Sequence, residues 1–358
     1  GLLEEGTGDL DARGFATARD ELAASFNYSA YDDAISVSAR FLTETQDAAM
    51  ALLKGSLVAP SITDVALNRV RAQVLAGLKS DSKDPDSIVS QRFDALAFGD
   101  HPYGSRAEGT IDSVSALTQD QIRAAHLGTL VRDRVYASAV GDITAEQLTT
   151  LLDSLLSDLP QSGRPMPSKV AYKLDGGTTV VDFDTPQSVA IFAQRGIERD
   201  HPDFFAAYLV NQILGGGSFE SRLMEEVREK RGLTYGVSSY LLPKDFSHLY
   251  IGRVASANDR IAEAVAVIRA EWTRMADRGV TQDELRRAKT YLTGSYPLRF
   301  DGNGPIANIM VGMQMQGLPV AYINNRNDKI NAVTLQDANR VARELLDPAG
   351  LHFVVVGR

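Results

Sequence analysis

The sequence predicts an α+β protein built from two homologous domains, each a mainly antiparallel sheet layered with helices. A chain of 358 residues is long for one hydrophobic core and suits two. Two stretches of its first half recur, in the same order, in its second half. Alternating segments also occur in adjacent pairs ahead of long helices, a pattern typical of an antiparallel sheet with helices on one face.

The repeated stretches combine helices with an apolar strand. The matching stretches are 62–77 with 280–295, and 117–142 with 333–358. In the second pair a helix is followed by an apolar strand that ends in glycine. Thr118 and Thr334 are predicted to cap these helices, because a hydroxyl accepts a free amide of the first turn. Two matches at nearly the same separation favour duplication over chance similarity.

The join between the domains is predicted at residues 158–172, which are rich in Pro, Ser and Gly and lack an apolar period. The domains are therefore 1–160 and 161–358. The second opens with the alternating strands TTVVDF and SVAIFAQRGI. Their counterparts in the first domain would lie before Gly1, so we expect that domain to lack its opening strands.

The composition excludes several classes of protein. With 44% hydrophobic and 23% charged residues the chain is typical of a globular protein. A net charge of −9 argues against a nucleic-acid partner, which requires a basic face. No apolar run approaches the ~18 residues of a membrane-spanning helix. The absence of cysteine excludes disulfides, thiolate metal sites and a cysteine nucleophile.

Histidine provides no paired metal ligands, because none of the five has another histidine three to five residues away. His101 precedes a proline in a loop and is predicted to have a structural or capping role. His126 is predicted to be a packing residue on a helix. Neither a G-x-S-x-G elbow nor a Walker loop is present.

A glycine-rich loop precedes the most informative helix of the chain. Gly215, Gly216 and Gly217 lack the Lys-Ser/Thr that phosphate binding requires. We predict a tight turn into the next helix, with Ser218 as its cap.

That helix, SFESRLMEEVREKRG, is predicted to bury one apolar stripe. The stripe residues are Phe219, Leu223 and Val227. Gly232 is predicted to end the helix. Arg228 lies in its last turn, where a cation interacts favourably with the helix dipole. Tyr235 alternates with Leu233 and Val237 in a strand, which is compatible with core packing.

The segment GGGSFESRLMEEVREKRGLTYGVSSY resembles the second domain of the pitrilysin family of zinc peptidases, which includes mitochondrial processing peptidase. The FGDHPYG loop, the KDPDSIV segment and the closing strand extend the resemblance over nearly the whole chain. It implies two α+β domains that form half of a clam-shell. It also implies that Arg228 and Tyr235, as the family's R-x6-Y element, bind the substrate backbone and polarise the scissile carbonyl, for which both donors are suited.

The family binds zinc in its first domain through H-x-x-E-H and a distant glutamate, and this chain departs from that pattern. The second histidine would align with Gly1, and the distant glutamate with Ala76 and Gly77. The resemblance therefore implies no metal or other cofactor in this chain and zinc in a partner subunit.

The expected function is that of a non-catalytic subunit of a heterodimeric bacterial zinc metalloendopeptidase. Alone the chain would be inactive; with a homologous zinc-bearing subunit, Arg228 and Tyr235 would act in trans on peptide substrates. Two alternatives remain open: a structural scaffold subunit without a peptidase role, and a self-sufficient zinc peptidase whose ligands align differently. Periplasm and cytoplasm both remain possible locations.

Overall fold

The computed structural model describes the backbone of residues 1–358 and the side chains of all of them except Ser218. The predicted cap by Ser218 therefore lies outside the described residues. The strands are β1 (Gly6–Thr7), β2 (Leu10–Asp11), β3 (Ser25–Ala30), β4 (Ile35–Arg40), β5 (Thr178–Asp182), β6 (Gln187–Arg195), β7 (Val237–Pro243), β8 (His248–Ala257) and β9 (His352–Gly357).

Helices make up the other layers. The α-helices are α1 (Ala12–Glu21), α2 (Gln46–Val58), α3 (Asp64–Asp81), α4 (Pro85–Phe98), α5 (Ile111–Ala116), α6 (Gln119–Thr129), α7 (Ala145–Leu156), α8 (Phe204–Asn211), α9 (Ile261–Arg278), α10 (Gln282–Gly294), α11 (Asn303–Met315), α12 (Tyr322–Ala332) and α13 (Leu335–Leu345). Two π-helical turns are Gln212–Gly216 and Met224–Glu229. Short 3-10 turns are Leu2–Glu4, Thr43–Thr45, Pro102–Gly104, Arg132–Arg134, Ser218–Glu220 and Pro297–Phe300. The predicted α+β class is confirmed.

The chain folds into two compact units, each assembled from three separate stretches of the sequence. Unit 1 comprises residues 1–80, 106–166 and 302–315, and unit 2 comprises 81–105, 167–301 and 316–358. This division differs from a single cut at residue 160, because α4 packs within unit 2 and α11 within unit 1. That the two domains are homologous stays a prediction.

Unit 2 contains a five-stranded sheet of order β5-β9-β6-β8-β7. β5 and β9 are parallel and the remaining pairs are antiparallel, with Ile191 opposite Val354 and Ala190 opposite Val254. The mainly antiparallel sheet was therefore correctly predicted.

Helices cover both faces of this sheet, not one face as predicted. Alternate residues of β6 enter two different cores: Phe192 packs with Trp272 of α9, whereas Ile191 packs with Phe93 of α4. The second layer exists because α4 presents an apolar face to the sheet. Sequence reasoning missed this layer because α4 lies far from β6 along the chain.

Unit 1 has two antiparallel hairpins, β1–β2 and β3–β4. The apolar strand predicted after α6 is wrong, because residues 135–140 form no strand. None of the described sheets includes these residues, so their backbone groups require other partners. Side chains supply bonds instead: Gln314 donates through Nε2 to the Ala137 carbonyl at 2.8 Å, and Ser138 donates through Oγ to the Ala307 carbonyl at 2.8 Å.

The predicted helix caps are confirmed. Thr118 Oγ1 accepts the Gln121 amide at 3.3 Å, and Thr334 Oγ1 accepts the Asp337 amide at 3.1 Å. In both, the third residue of the helix reaches back to the capping amide.

Within the described residues, no helix has the length and apolar character required to cross a bilayer.

Candidate functional site

The three glycines pack where larger residues do not fit. A Cβ on Gly215 would lie 2.2 Å from Ser239 Oγ and 2.8 Å from its backbone nitrogen. A Cβ on Gly216 would lie 2.6 Å from Asn211 Nδ2. On Gly217 it would lie 2.6 Å from a carbonyl oxygen of the preceding π-helical turn. Close packing therefore accounts for this run, and a role for it in substrate binding stays a prediction.

Arg228 lies in a π-helical turn, not in the regular α-helix that was predicted. The turn covers Met224–Glu229, and the Lys230 amide donates to the Glu225 carbonyl, five residues back, at 2.9 Å. Turns of this kind are rare and occur frequently at functional sites.

The predicted apolar stripe is wrong at its first residue. Leu223 and Val227 are fully buried, whereas Phe219 is 64% exposed. A 3-10 turn, Ser218–Glu220, and then the π-helical turn interrupt the regular period of the segment. Phe219 therefore does not share a face with the two buried residues.

Two of the basic residues at the end of this segment neutralise one buried carboxylate. Glu226, 7% exposed, accepts from Lys230 Nζ and from Arg231 Nη1, each at 2.7 Å. Arg274 of α9 lies 3.6 Å away. The hydrogen bonds from Lys230 and Arg231 lower the pKa of Glu226 against the opposing effect of burial. These two cations therefore have a structural role.

Arg228 is engaged differently. Its guanidinium carbon lies 4.6 Å from the ring centroid of Phe219. Its Nε lies 3.6 Å from Glu229 Oε1, beyond hydrogen-bond distance. Its side chain is 31% exposed, and among the described contacts the guanidinium donates no hydrogen bond. Its N–H groups are therefore available to a ligand.

Tyr235 is 88% exposed, so the core-packing interpretation is wrong, although Leu233 and Val237 are buried as expected. Gly232, at φ +58°, ends the preceding helical segment as predicted. Thr234 Oγ1 donates to the Ala255 carbonyl at 2.6 Å, which fixes the turn to β8. The backbone on both sides of Tyr235 is anchored while its phenol faces solvent.

The structure thus brings Arg228 into contact with Phe219 and places Tyr235 on the loop that follows. Sequence reasoning missed Phe219 because its spacing from Leu223 matched a helical stripe. The glycine run before it was the available signal, since it marks a turn where a helical period does not apply.

The predictions for two histidines are confirmed. His101 caps the turn Pro102–Gly104, with Nδ1 accepting the Tyr103 amide at 3.1 Å. His126 is half-buried, and its Nε2 lies 2.7 Å from the Leu57 carbonyl oxygen.

The residues expected at a zinc site do not fit a metal. Ala76 and Gly77 are exposed on α3, and neither has a donor atom. Gly1 is next to Val70, whose Cγ1 would lie 3.0 Å from a Cβ at that position. Across the described side chains, no group of three or more histidines or carboxylates could hold a metal ion.

Residues 116–292 match the family model described as the Peptidase M16 inactive domain. The crystal structure of a peptidase M16 inactive domain from Pseudomonas fluorescens superposes with a TM-score of 0.91 at 27% identity, over 99% of this chain and 86% of that one. This chain is similar to the M16 peptidase family. The resemblance to pitrilysin-type peptidases is thereby confirmed.

Two curated relatives have names that differ in the activity they state. The chain is 27% identical over 356 residues to the non-peptidase homolog YmxG of Helicobacter pylori, covering 99% of this chain and 82% of that protein. It is 26% identical over 356 residues to an uncharacterized zinc protease of Streptomyces coelicolor, covering 96% of this chain and 76% of that protein. The names of these relatives therefore do not assign an activity to this chain.

Proposed function

We propose that this chain belongs to the M16 peptidase family and is the non-catalytic subunit of a heterodimeric zinc metalloendopeptidase. A homologous subunit supplies the zinc, and this chain contributes Arg228 and Tyr235 to substrate binding. The observation that carries the proposal is the difference between neighbouring cations. Lys230 and Arg231 donate to Glu226, whereas Arg228 lies near Glu229 without donating a hydrogen bond among the described contacts, and Tyr235 is exposed.

The chemistry follows from these donors. A peptide carbonyl becomes negatively charged as water adds to it, and a guanidinium and a phenol both donate hydrogen bonds to that oxygen. Zinc held by the partner subunit would supply activation of the attacking water, and the partner would supply the general base. Peptides in an extended conformation suit this arrangement, because recognition of the main chain tolerates varied side chains.

Two observations support inactivity of the chain alone. Ala76 and Gly77 have no metal-binding atoms, and Gly1 has none where a histidine was expected. The match to the inactive-domain model and the similarity to a relative named as a non-peptidase homologue point the same way.

The test measures zinc content and peptide hydrolysis for this chain, for a zinc-bearing M16 homologue from the same organism, and for their mixture. We expect this chain alone to be inactive without stoichiometric zinc, and activity to increase on mixing. Zinc at one per chain with activity alone would favour a self-sufficient peptidase. A stable complex without hydrolysis would favour a scaffold.

Substitutions then test the two residues. In the mixture, Arg228→Ala and Tyr235→Phe should each lower kcat/KM, by about 100-fold for the arginine if it stabilises the developing oxyanion. Arg286→Ala is the matched control, since Arg286 is an exposed arginine of α10 already paired with Asp283. Unchanged hydrolysis by Arg228→Ala in an intact complex would refute the role of the pair.

A further inference from the structure

Phe219 is the large apolar residue of this segment that faces solvent. It follows the glycine run directly, and its ring lies 4.6 Å from the guanidinium carbon of Arg228. An exposed phenylalanine lacks the stabilisation of about 1.5–3 kcal/mol that full burial of its side chain would contribute. The contact with Arg228 is the interaction that the structure gives this ring.

A neighbouring arginine shows what a different kind of partner does. Arg222 donates to Glu284 through Nε at 2.7 Å and through Nη2 at 2.8 Å. It also donates through Nη2 to the Gly279 carbonyl at 3.0 Å. A carboxylate therefore fixes Arg222 by using its N–H donors.

An aromatic ring fixes an arginine without using those donors. The attraction arises between the cation and the electron-rich ring face, so the N–H groups do not need to point at an acceptor. A ring partner therefore holds a guanidinium in place and leaves it free to donate to a ligand. Among the described side chains, Arg228 has this kind of partner and makes no competing hydrogen bond.

We propose that Phe219 is a positioning residue that holds the Arg228 guanidinium ready to bind the carbonyl oxygen of a peptide substrate. This inference rests on the proposed function of Arg228 and adds a residue to it. If the long arginine side chain is already ordered, less conformational entropy is lost when the substrate binds. Phe219 acts through Arg228, not through contact with the reacting atoms.

The contact itself is tested in this chain alone by NMR. Ring currents from Phe219 should displace the Arg228 Nε–Hε resonance, assigned by its loss in Arg228→Lys. Phe219→Leu, which keeps apolar volume without a ring, should return that resonance towards the position of a solvent-exposed arginine. Phe219→Trp should retain the displacement. An unchanged resonance in Phe219→Leu would overturn the inference.

The role is tested in the active complex by a double-mutant cycle. Phe219→Leu should lower kcat/KM by about two- to five-fold, the size of an exposed cation–π contact. Phe219→Trp should restore kcat/KM to the wild-type value. In an Arg228→Ala background, Phe219→Leu should have no further effect, because a residue acting through Arg228 has nothing left to position.

The outcomes separate this inference from the proposed function. Full activity of Phe219→Leu beside a defective Arg228→Ala overturns the role of Phe219 and leaves the proposed function standing. Full activity of Arg228→Ala overturns both. Additive losses in the double variant also overturn the positioning role, since Phe219 would then act independently of Arg228.

Discussion

Arg222 and Glu284 form a two-point ion pair between the helical segment that carries Arg228 and the first turn of α10. Nε and Nη2 of Arg222 donate to the two carboxylate oxygens at 2.7 and 2.8 Å. Glu284 Oε2 also accepts the Thr281 amide at 2.7 Å and completes a capping box. Both charged side chains are largely buried, so this pair anchors the base from which Arg228 projects.

The ion pair between Arg222 and Glu284 should make the stability of the folded chain sensitive to acid. Burial raises the pKa of Glu284, but hydrogen bonds from Arg222 and from Thr281 outweigh it and lower the pKa to about 2. The folded chain therefore binds this proton more weakly than the unfolded chain. The stabilisation is complete above the ordinary pKa of 4.5 and is lost as pH falls towards about 2.

Glu284→Gln should accordingly lower the free energy of unfolding at pH 7 by about 3 kcal/mol, since it leaves a buried arginine without its partner. The difference from wild type should shrink by about pH 3, as measured by urea unfolding at both pH values. Asp283→Asn is the control, because Asp283 is exposed and its loss should leave the midpoint nearly unchanged. A constant difference across the two pH values would contradict the assignment.

Glu271 of α9 should behave in the opposite way. Its Oε1 accepts from Arg274 at 3.1 Å, whereas its buried Oε2 has no hydrogen-bond partner among the described atoms. Burial raises its pKa, with a further increase from Glu226, while Arg274, Arg222 and Lys230 lower it. The folded chain binds this proton more tightly than the unfolded chain, so the carboxylate destabilises the fold as pH rises through the raised pKa.

Glu271→Gln should therefore raise the free energy of unfolding at neutral pH, because a neutral amide costs less to bury than a charge. At about pH 4 the variant and wild type should have similar stability. Urea unfolding at the two pH values gives the measurement. Destabilisation at neutral pH would mean that the bond from Arg274 outweighs the cost of the unpartnered oxygen.

Gly215 and Gly77 predict opposite effects of the same substitution. Gly215→Ala places a methyl group 2.2 Å from Ser239 Oγ, so it should lower the thermal midpoint markedly. Gly77 lies within α3, where no described atom outside the local helix backbone comes within 4 Å of the place a Cβ would take. Gly77→Ala should therefore stabilise the chain by about 0.5–1 kcal/mol. Equal midpoints for the two variants would contradict the close packing at Gly215.

The capping box of α13 should be measurable by itself. Thr334→Ala removes the acceptor for the Asp337 amide and should cost about 1 kcal/mol. Thr290→Ala within α10 is the control, because its hydroxyl only bonds back to the Arg286 carbonyl. Chemical unfolding of both variants tests this, and equal stability would exclude a capping contribution from Thr334.

The sequence predicted features that depend on nearby residues. The caps at Thr118 and Thr334 and the stop at Gly232 follow from a few adjacent side chains and were correct. Residues 135–140 failed as a strand because pairing depends on a neighbour that spacing along the chain does not reveal. Phe219 failed because a 3-10 turn and a π-helical turn replaced the assumed helical period.

The π-helical turn changes the meaning of a motif defined by residue count. An α-helix rotates each successive side chain by about 100°, whereas a π-helical turn winds more widely and accommodates an extra residue in the same stretch. Most of the turn precedes Arg228 or contains it, so the direction in which the arginine projects depends on how the backbone is wound there, which a count of the residues up to Tyr235 does not record. Deleting Glu225, which precedes the arginine in this turn, would allow ordinary winding and would redirect Arg228, although both side chains of the pair remained present.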